Sequence, residues 1–129
     1  MVLVDTSVWI EVFRRNDPLD LESLVSLDDV ATCGPVVQEV LQGFREQAPY
    51  QRARVGLFNL RWVESPMSAE LFEAAAELYR AGRRRGLTIR SSVDCLIAAC
   101  AIRNQMEVLH RDRDFAALAQ ISGLRQRQP

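Results

Sequence analysis

The chain has 129 residues, 48% of them hydrophobic, and 16 Lys-or-Arg side chains against 17 acidic ones, for a formal net charge of −1. That length and apolar share suit one globular domain over residues 1–129 with a real core, and the near-neutral charge names no partner class. All 16 of those basic residues are Arg, so mechanisms that need a lysine amine are excluded: a P-loop, a Schiff base, a receiver-domain lysine.

In chain order, Val2-Leu3-Val4-Asp5 reads as a buried strand with an acid at its C-terminal end. Ser7 is placed to cap a helix from Val8 to about Arg15, whose apolar band (Val8, Trp9, Ile10, Val12, Phe13) is wider than one sheet face needs. A short helix over roughly 19–27 follows, then a strand at Val30–Cys33. Gly34-Pro35 opens a helix with Pro at its first position, running to about Gln47 with Glu39 on the border of its apolar stripe. Pro49 breaks that pattern and leads to a helix over about 50–60 and a strand at Trp62–Glu64. Ser65 to Ser68 cap a long helix, 69–85, that ends in Arg83-Arg84-Arg85 and stops at Gly86.

Residues 91–104 form a helix that is apolar on every side, and such a helix is buried. It takes Asp94 with it, with no Arg three or four positions on to pair with the carboxylate. One reading makes Ser91 the N-cap and Asp94 its capping-box partner; the other makes Asp94 a functional carboxylate. Glu107–His110 is the next strand, Arg111–Phe115 a turn, 114–121 the last helix, and a strand near Leu124–Arg127 closes the chain. The three Cys (33, 95, 100) form no Cys-x-x-Cys pair, and Cys95 and Cys100, five apart on the buried helix, read as small core residues; His110, the only His, reads as structural. No apolar run reaches the roughly 18 residues of a membrane helix and no secretory signal opens the chain. A cytoplasmic protein without a membrane partner is expected.

Short strands alternating with helices imply a three-layer α/β/α sandwich with a mainly parallel central sheet. In such sheets ligands bind beyond the carboxyl ends of the strands. Asp5, Asp112 and Asp114 follow strands, while Glu39 and Asp94 lie early in helices that open at the same edge. Each acid has a local explanation as turn residue, cap or solvated side chain. Those explanations leave their shared edge unaccounted for. Several carboxylates at one place repel unless a cation joins them, and Mg²⁺ or Mn²⁺ suits oxygen ligands. Such a site fits phosphodiester hydrolysis by a metal-activated water, which needs no nucleophilic side chain. Arg83, Arg84, Arg85, Arg90, Arg111 and Arg113 are candidates for holding a nucleic-acid backbone.

Four segments together carry a resemblance: Val-Leu-Val-Asp-Thr-Ser-Val-Trp-Ile at the start, Gly-Pro-Val-Val-Gln-Glu-Val-Leu-Gln-Gly from 34, Asp-Cys-Leu-Ile-Ala-Ala from 94, and His-Arg-Asp-Arg-Asp-Phe from 110. In order and spacing the whole chain resembles the PIN-domain ribonucleases, and more narrowly the VapC-type toxins of bacterial toxin–antitoxin pairs. The resemblance implies a catalytic acidic quartet of Asp5, Glu39, Asp94 and Asp112. It implies a metal held by Asp5, Asp94 and Asp112 with Asp114 as a fifth acid, and a supporting hydroxyl at Thr6 or Ser7. It also implies Mg²⁺-dependent cleavage of RNA leaving 5′-phosphate and 3′-hydroxyl ends. A homodimer is implied, together with a VapB-type antitoxin that joins the toxin in a hetero-oligomer and blocks the site. Arg111 stands where many relatives place Thr or Asn. The apolar surplus at Trp9, Ile10 and Phe13 suits a groove for a partner's amphipathic segment.

Two other classes fit parts of the chain. A non-catalytic α/β binding module would use the acids only as helix caps. A phosphatase with an aspartyl nucleophile would need Asp-x-Asp and a Lys, and here position 7 is Ser and Lys is absent.

Overall fold

The computed structural model describes residues 1–129. Its centre is a five-stranded, wholly parallel sheet of β1 (Val2–Val4), β2 (Val30–Thr32), β3 (Arg61–Trp62), β4 (Glu107–Leu109) and β5 (Arg125–Arg127). The strand order is β3-β2-β1-β4-β5. The chain therefore builds outward from β1 to β2 and β3, then returns across β1 to β4 and β5. Right-handed crossovers put the helices of these two halves on opposite faces, giving the expected α/β/α layers. The direction of winding reverses between β1 and β4, the place where parallel sheets open a crevice beyond their carboxyl ends.

Six helices cover the sheet: α1 (Thr6–Val12), α2 (Gly34–Gln42), α3 (Gln47–Phe58), α4 (Ala69–Arg84), α5 (Ser92–Arg103) and α6 (Arg113–Ala119). Helix α5 is the buried one: Ile97, Ala98, Cys100 and Ala101 are wholly sealed, and small side chains on it let α4 and α6 pack close. Cys95 and Cys100 are buried free thiols, as expected of small core residues, and Cys33 is a third. No helix is long and apolar enough to cross a membrane.

Several boundaries differ from the sequence expectation. The first helix begins at Thr6 and ends at Val12, because the Asp5 carboxylate caps it by accepting from the Ser7 N–H, so Ser7 is not the cap. The helix expected over 19–27 is two single 3₁₀ turns, Leu21–Ser23 and Leu27–Asp29. Helix α2 stops at Gln42 with Gly43 as C-cap, well short of Gln47. Helix α3 starts at Gln47 and takes Pro49 inside its first turn, where the missing N–H has no intrahelical partner to lose.

Candidate active site

Asp5 follows β1 directly, and its N–H donates to the Leu109 carbonyl of β4 at 2.9 Å. Its Oδ2 accepts from the Ser7 N–H at 3.0 Å and from Ser7 Oγ at 2.5 Å. Ser7 Oγ in turn accepts from the Arg111 N–H at 2.9 Å, so one hydroxyl ties the end of β1 to the turn after β4. The other oxygen of Asp5, Oδ1, is buried without a hydrogen-bond partner. Burial raises the Asp5 carboxyl above its ordinary value; the hydrogen bonds from Ser7 oppose this and the charge of Asp112 adds to it.

Asp94 enters from α5. Ser91 caps that helix, accepting from the Asp94 N–H at 3.3 Å, so half of the expected capping box is present. The reciprocal half is not. The Ser91 N–H donates to Asp114 Oδ2 at 3.2 Å, which frees the Asp94 carboxyl from capping. Asp94 is only 6% exposed, and its Oδ2 has no partner. Burial, followed by the charges of Asp112 and Asp5, pushes its carboxyl up to about 8 from an ordinary 3.8.

Asp112 and Asp114 come from the start of α6. Asp112 is the N-cap, its Oδ1 accepting from the Asp114 N–H at 2.9 Å. Asp114 is 2% exposed and reaches across to α5, where its Oδ2 also accepts from the Arg90 N–H at 2.9 Å. Carboxylate oxygens of Asp94, Asp112 and Asp114 lie within 4.8 Å of one another. The sheet's switch point thus gathers three acids; Asp5 stands outside that 4.8 Å group, near enough for the charge of Asp112 to bear on it and for its own to bear on Asp94.

Glu39 stands one step out. Its Oε1 accepts from Thr6 Oγ1 at 2.8 Å, and it lines a groove of about 490 Å³ shared with Val93 and Leu96, the residues flanking Asp94's turn. The two hydroxyls after Asp5 therefore divide the work: Ser7 holds Asp5, and Thr6 holds Glu39.

The PIN domain family profile matches residues 2–121. Ribonuclease VapC11 of Mycobacterium tuberculosis and VapC ribonuclease Mb1587 of Mycobacterium bovis are each 39% identical to the chain over 132 residues, covering 96% of either sequence. The chain belongs to the VapC family of PIN-domain proteins. Among solved structures, VapBC2 from Rickettsia felis, bound to a DNA fragment from its promoter, superposes with a TM-score of 0.77 over 100% of this chain and 99% of that one. At 21% identity that likeness shows the shared fold.

For two residues of this PIN domain's site the partners were not visible in sequence. His110 is fully buried; its Nδ1 accepts from the Asp112 N–H at 3.0 Å, so the ring proton lies on Nε2 and donates to Gln126 Oε1 at 2.6 Å. The expected structural role of His110 is thus to hold the turn that presents Asp112, and the i, i+2 spacing from His110 to Asp112 was the only local signal. Arg90 is the second: its guanidinium lies 3.5 Å from Asp112 Oδ1 and 3.6 Å from Asp114 Oδ1.

The remaining Arg candidates form no ion pair with the acids of the site. Arg83 lies over the Tyr79 ring, and Arg84 lines a groove with Ile102 and Arg103, about 12 Å along α5 from Asp94 at 1.5 Å per residue. Arg85 and Arg113 are exposed, and Arg111 Nε donates to Glu11 Oε2 at 2.8 Å. Trp9 stacks on Phe13 with centroids 5.5 Å apart, and Phe13 meets Phe44 edge-on, so part of the apolar surplus is spent on the segment just past the end of α2. Ile10 stays 62% exposed beside a cleft of about 140 Å³ lined by Trp9, Phe13 and Phe44.

Proposed function

We propose that this VapC-family chain is a metal-dependent endoribonuclease, the toxin of a toxin–antitoxin pair, working in the cytoplasm with Mg²⁺ and able to use Mn²⁺ in its place. The observation that carries this reading is the partnerless, buried Oδ2 of Asp94 set among the carboxylates of Asp112 and Asp114. A buried acid without a partner is costly, and an all-oxygen donor set of this kind fits a hard divalent cation. The orphaned Oδ1 of Asp5 supports the same fit.

Asp5, Asp94 and Asp112 would hold the ion, with Asp114 offering only Oδ1 because its Oδ2 is taken by two backbone N–H groups. A bound divalent ion lowers the pKa of a water and offsets charge on the phosphate under attack. The protein's own part is positional. Ser7 and His110 fix Asp5 and Asp112 at neighbouring strand ends, so the acids are preorganised before substrate arrives. Glu39, held by Thr6, keeps a second carboxylate oxygen for a water or a ribose hydroxyl at the groove beside α5. The names of the relatives support RNA as substrate, and the exposed Arg111 and Arg113, on either side of Asp112 in the chain, suit its phosphates. A VapB-type antitoxin would cover the site, with the cleft at Ile10 as one point of contact, and the toxin would work as a homodimer.

A binding module whose acids merely cap helices draws support from Asp5 and Asp112, which do cap α1 and α6. Capping occupies Oδ2 of Asp5 and Oδ1 of Asp112, however, and explains neither orphaned oxygen. RNA cleavage by the purified toxin separates the two. It should stop in EDTA, return with excess Mg²⁺ or Mn²⁺, and fall to background in a folded Asp94→Asn variant. Cleavage that persists in EDTA overturns the reading.

A further inference from the structure

Arg90 is the one basic side chain that forms an ion pair with any of the four aspartates. Its backbone is pinned, since the Arg90 N–H donates to Asp114 Oδ2 at 2.9 Å. Its side chain is not: it is 52% exposed, and its 3.5 and 3.6 Å approaches to Asp112 and Asp114 are ion pairs without a side-chain hydrogen bond. A guanidinium is always charged, so it offsets repulsion between those two carboxylates. It makes no pair with Asp94, whose Oδ2 stays orphaned. A divalent ion shared by Asp94 and Asp112 must therefore compete with Arg90 for the charge of Asp112. The loose geometry makes that exchange easy.

We propose that Arg90 is the exchangeable counter-ion of the site: its guanidinium neutralises Asp112 and Asp114 in the metal-free protein, yields them when a divalent ion binds, and then receives a phosphodiester of the RNA. This rests on the nuclease reading above. Anchored by its backbone at the rim, the released fork is suited to two-point contact with phosphate oxygens. Arg90 is in this sense a positioning residue for substrate and a competitor of the metal.

Calorimetric titration of the full chain with Mn²⁺, without RNA and at one fixed pH, tests the exchange. Each half-exposed ion pair is worth a factor of about two to five in an equilibrium. Arg90→Gln should therefore bind Mn²⁺ about fivefold more tightly than wild type, and Arg90→Lys, which keeps the charge, should stay near wild type. Equal affinity in Arg90→Gln and wild type overturns the exchange and leaves Arg90 a structural pair. In case the Gln variant folds poorly, the side-chain Nε–H resonance of Arg90 in wild type provides a second readout: it should move on Mg²⁺ addition, and a fixed resonance overturns the proposal. For RNA cleavage at saturating Mg²⁺, Arg90→Gln should raise KM more than it lowers kcat, with Arg90→Lys restoring much of KM. An unchanged KM removes the phosphate role. If wild type binds no Mn²⁺ at all, the nuclease reading itself falls, a result distinct from failure of the Arg90 exchange.

Discussion

Asp94 and Asp114 sit in the first turns of neighbouring helices, and both are nearly sealed from water, at 6% and 2% exposure. Their partners could hardly differ more. Asp114 accepts two backbone N–H groups on Oδ2 and has the Arg90 guanidinium beside Oδ1. Asp94 faces other acids, keeps an orphaned oxygen, and has its carboxyl pushed up to about 8. The same residue type at comparable depth is thus held in two ways. Two bonds to Oδ2 of Asp114 clamp the start of α5 onto α6, whereas Oδ2 of Asp94 accepts nothing and, on the reading proposed above, is left for a cation. Burial alone does not distinguish the two carboxylates; their partners do.

That contrast is sharpest when each acid is removed. Asp114→Ala should lose two charge-assisted hydrogen bonds and leave two N–H groups at the start of α5 without acceptors. A loss of about 3 kcal/mol is expected, readable by urea denaturation. A loss under about 1 kcal/mol would mean that water replaces the clamp and would erase the difference between the two acids.

Asp94 should behave in the opposite way. Its carboxyl is raised in the folded state, so the folded protein binds the proton more tightly than the unfolded chain. The metal-free protein should therefore lose stability as pH rises from the ordinary 3.8 through about 8, and level off above that. Asp94→Asn should flatten this fall and be at least as stable as wild type at the alkaline end. Melting curves in EDTA across that range check it; a variant less stable than wild type at every pH would make Asp94 a structural acid like Asp114.

The smallest expected effect lies at Ser7, which links Asp5 to the turn after β4. Ser7→Ala should cost about 1 kcal/mol of stability, with a drop in RNA cleavage of about tenfold from misplacement of Asp5. An unaltered cleavage rate would show that the end of β1 is held by the sheet alone.

Much of this was legible in the sequence because it is local. The apolar run ending in Asp5, the all-round apolar helix carrying Asp94 and the strand before Asp112 are periodicity signals, and strand order turns them into one edge. What sequence could not supply depends on tertiary partners. Ser91 and Asp94 have the spacing of a capping box, yet Asp114, 23 positions away from Ser91, takes the N–H that would complete it. Arg90 finds Asp112 and Asp114 across the site, which no i, i+4 rule reveals. Residues 19–27 have a helical composition, but only isolated 3₁₀ turns form there, and Gly43 ends α2 before Gln47. The first is a case where local propensity does not decide the outcome, whereas Gly43 is a local stop signal that the apolar stripe running on to Phe44 obscured.

The central claim is tested most directly by the melting temperature of wild type and Asp94→Asn with and without Mn²⁺, at a pH near the raised value of Asp94. An ion that binds only the folded state stabilises it. Wild type should therefore melt several degrees higher when Mn²⁺ is added, and Asp94→Asn should gain little. Equal gains in both proteins, or none in wild type, would contradict the claim that these acids are gathered to hold a cation.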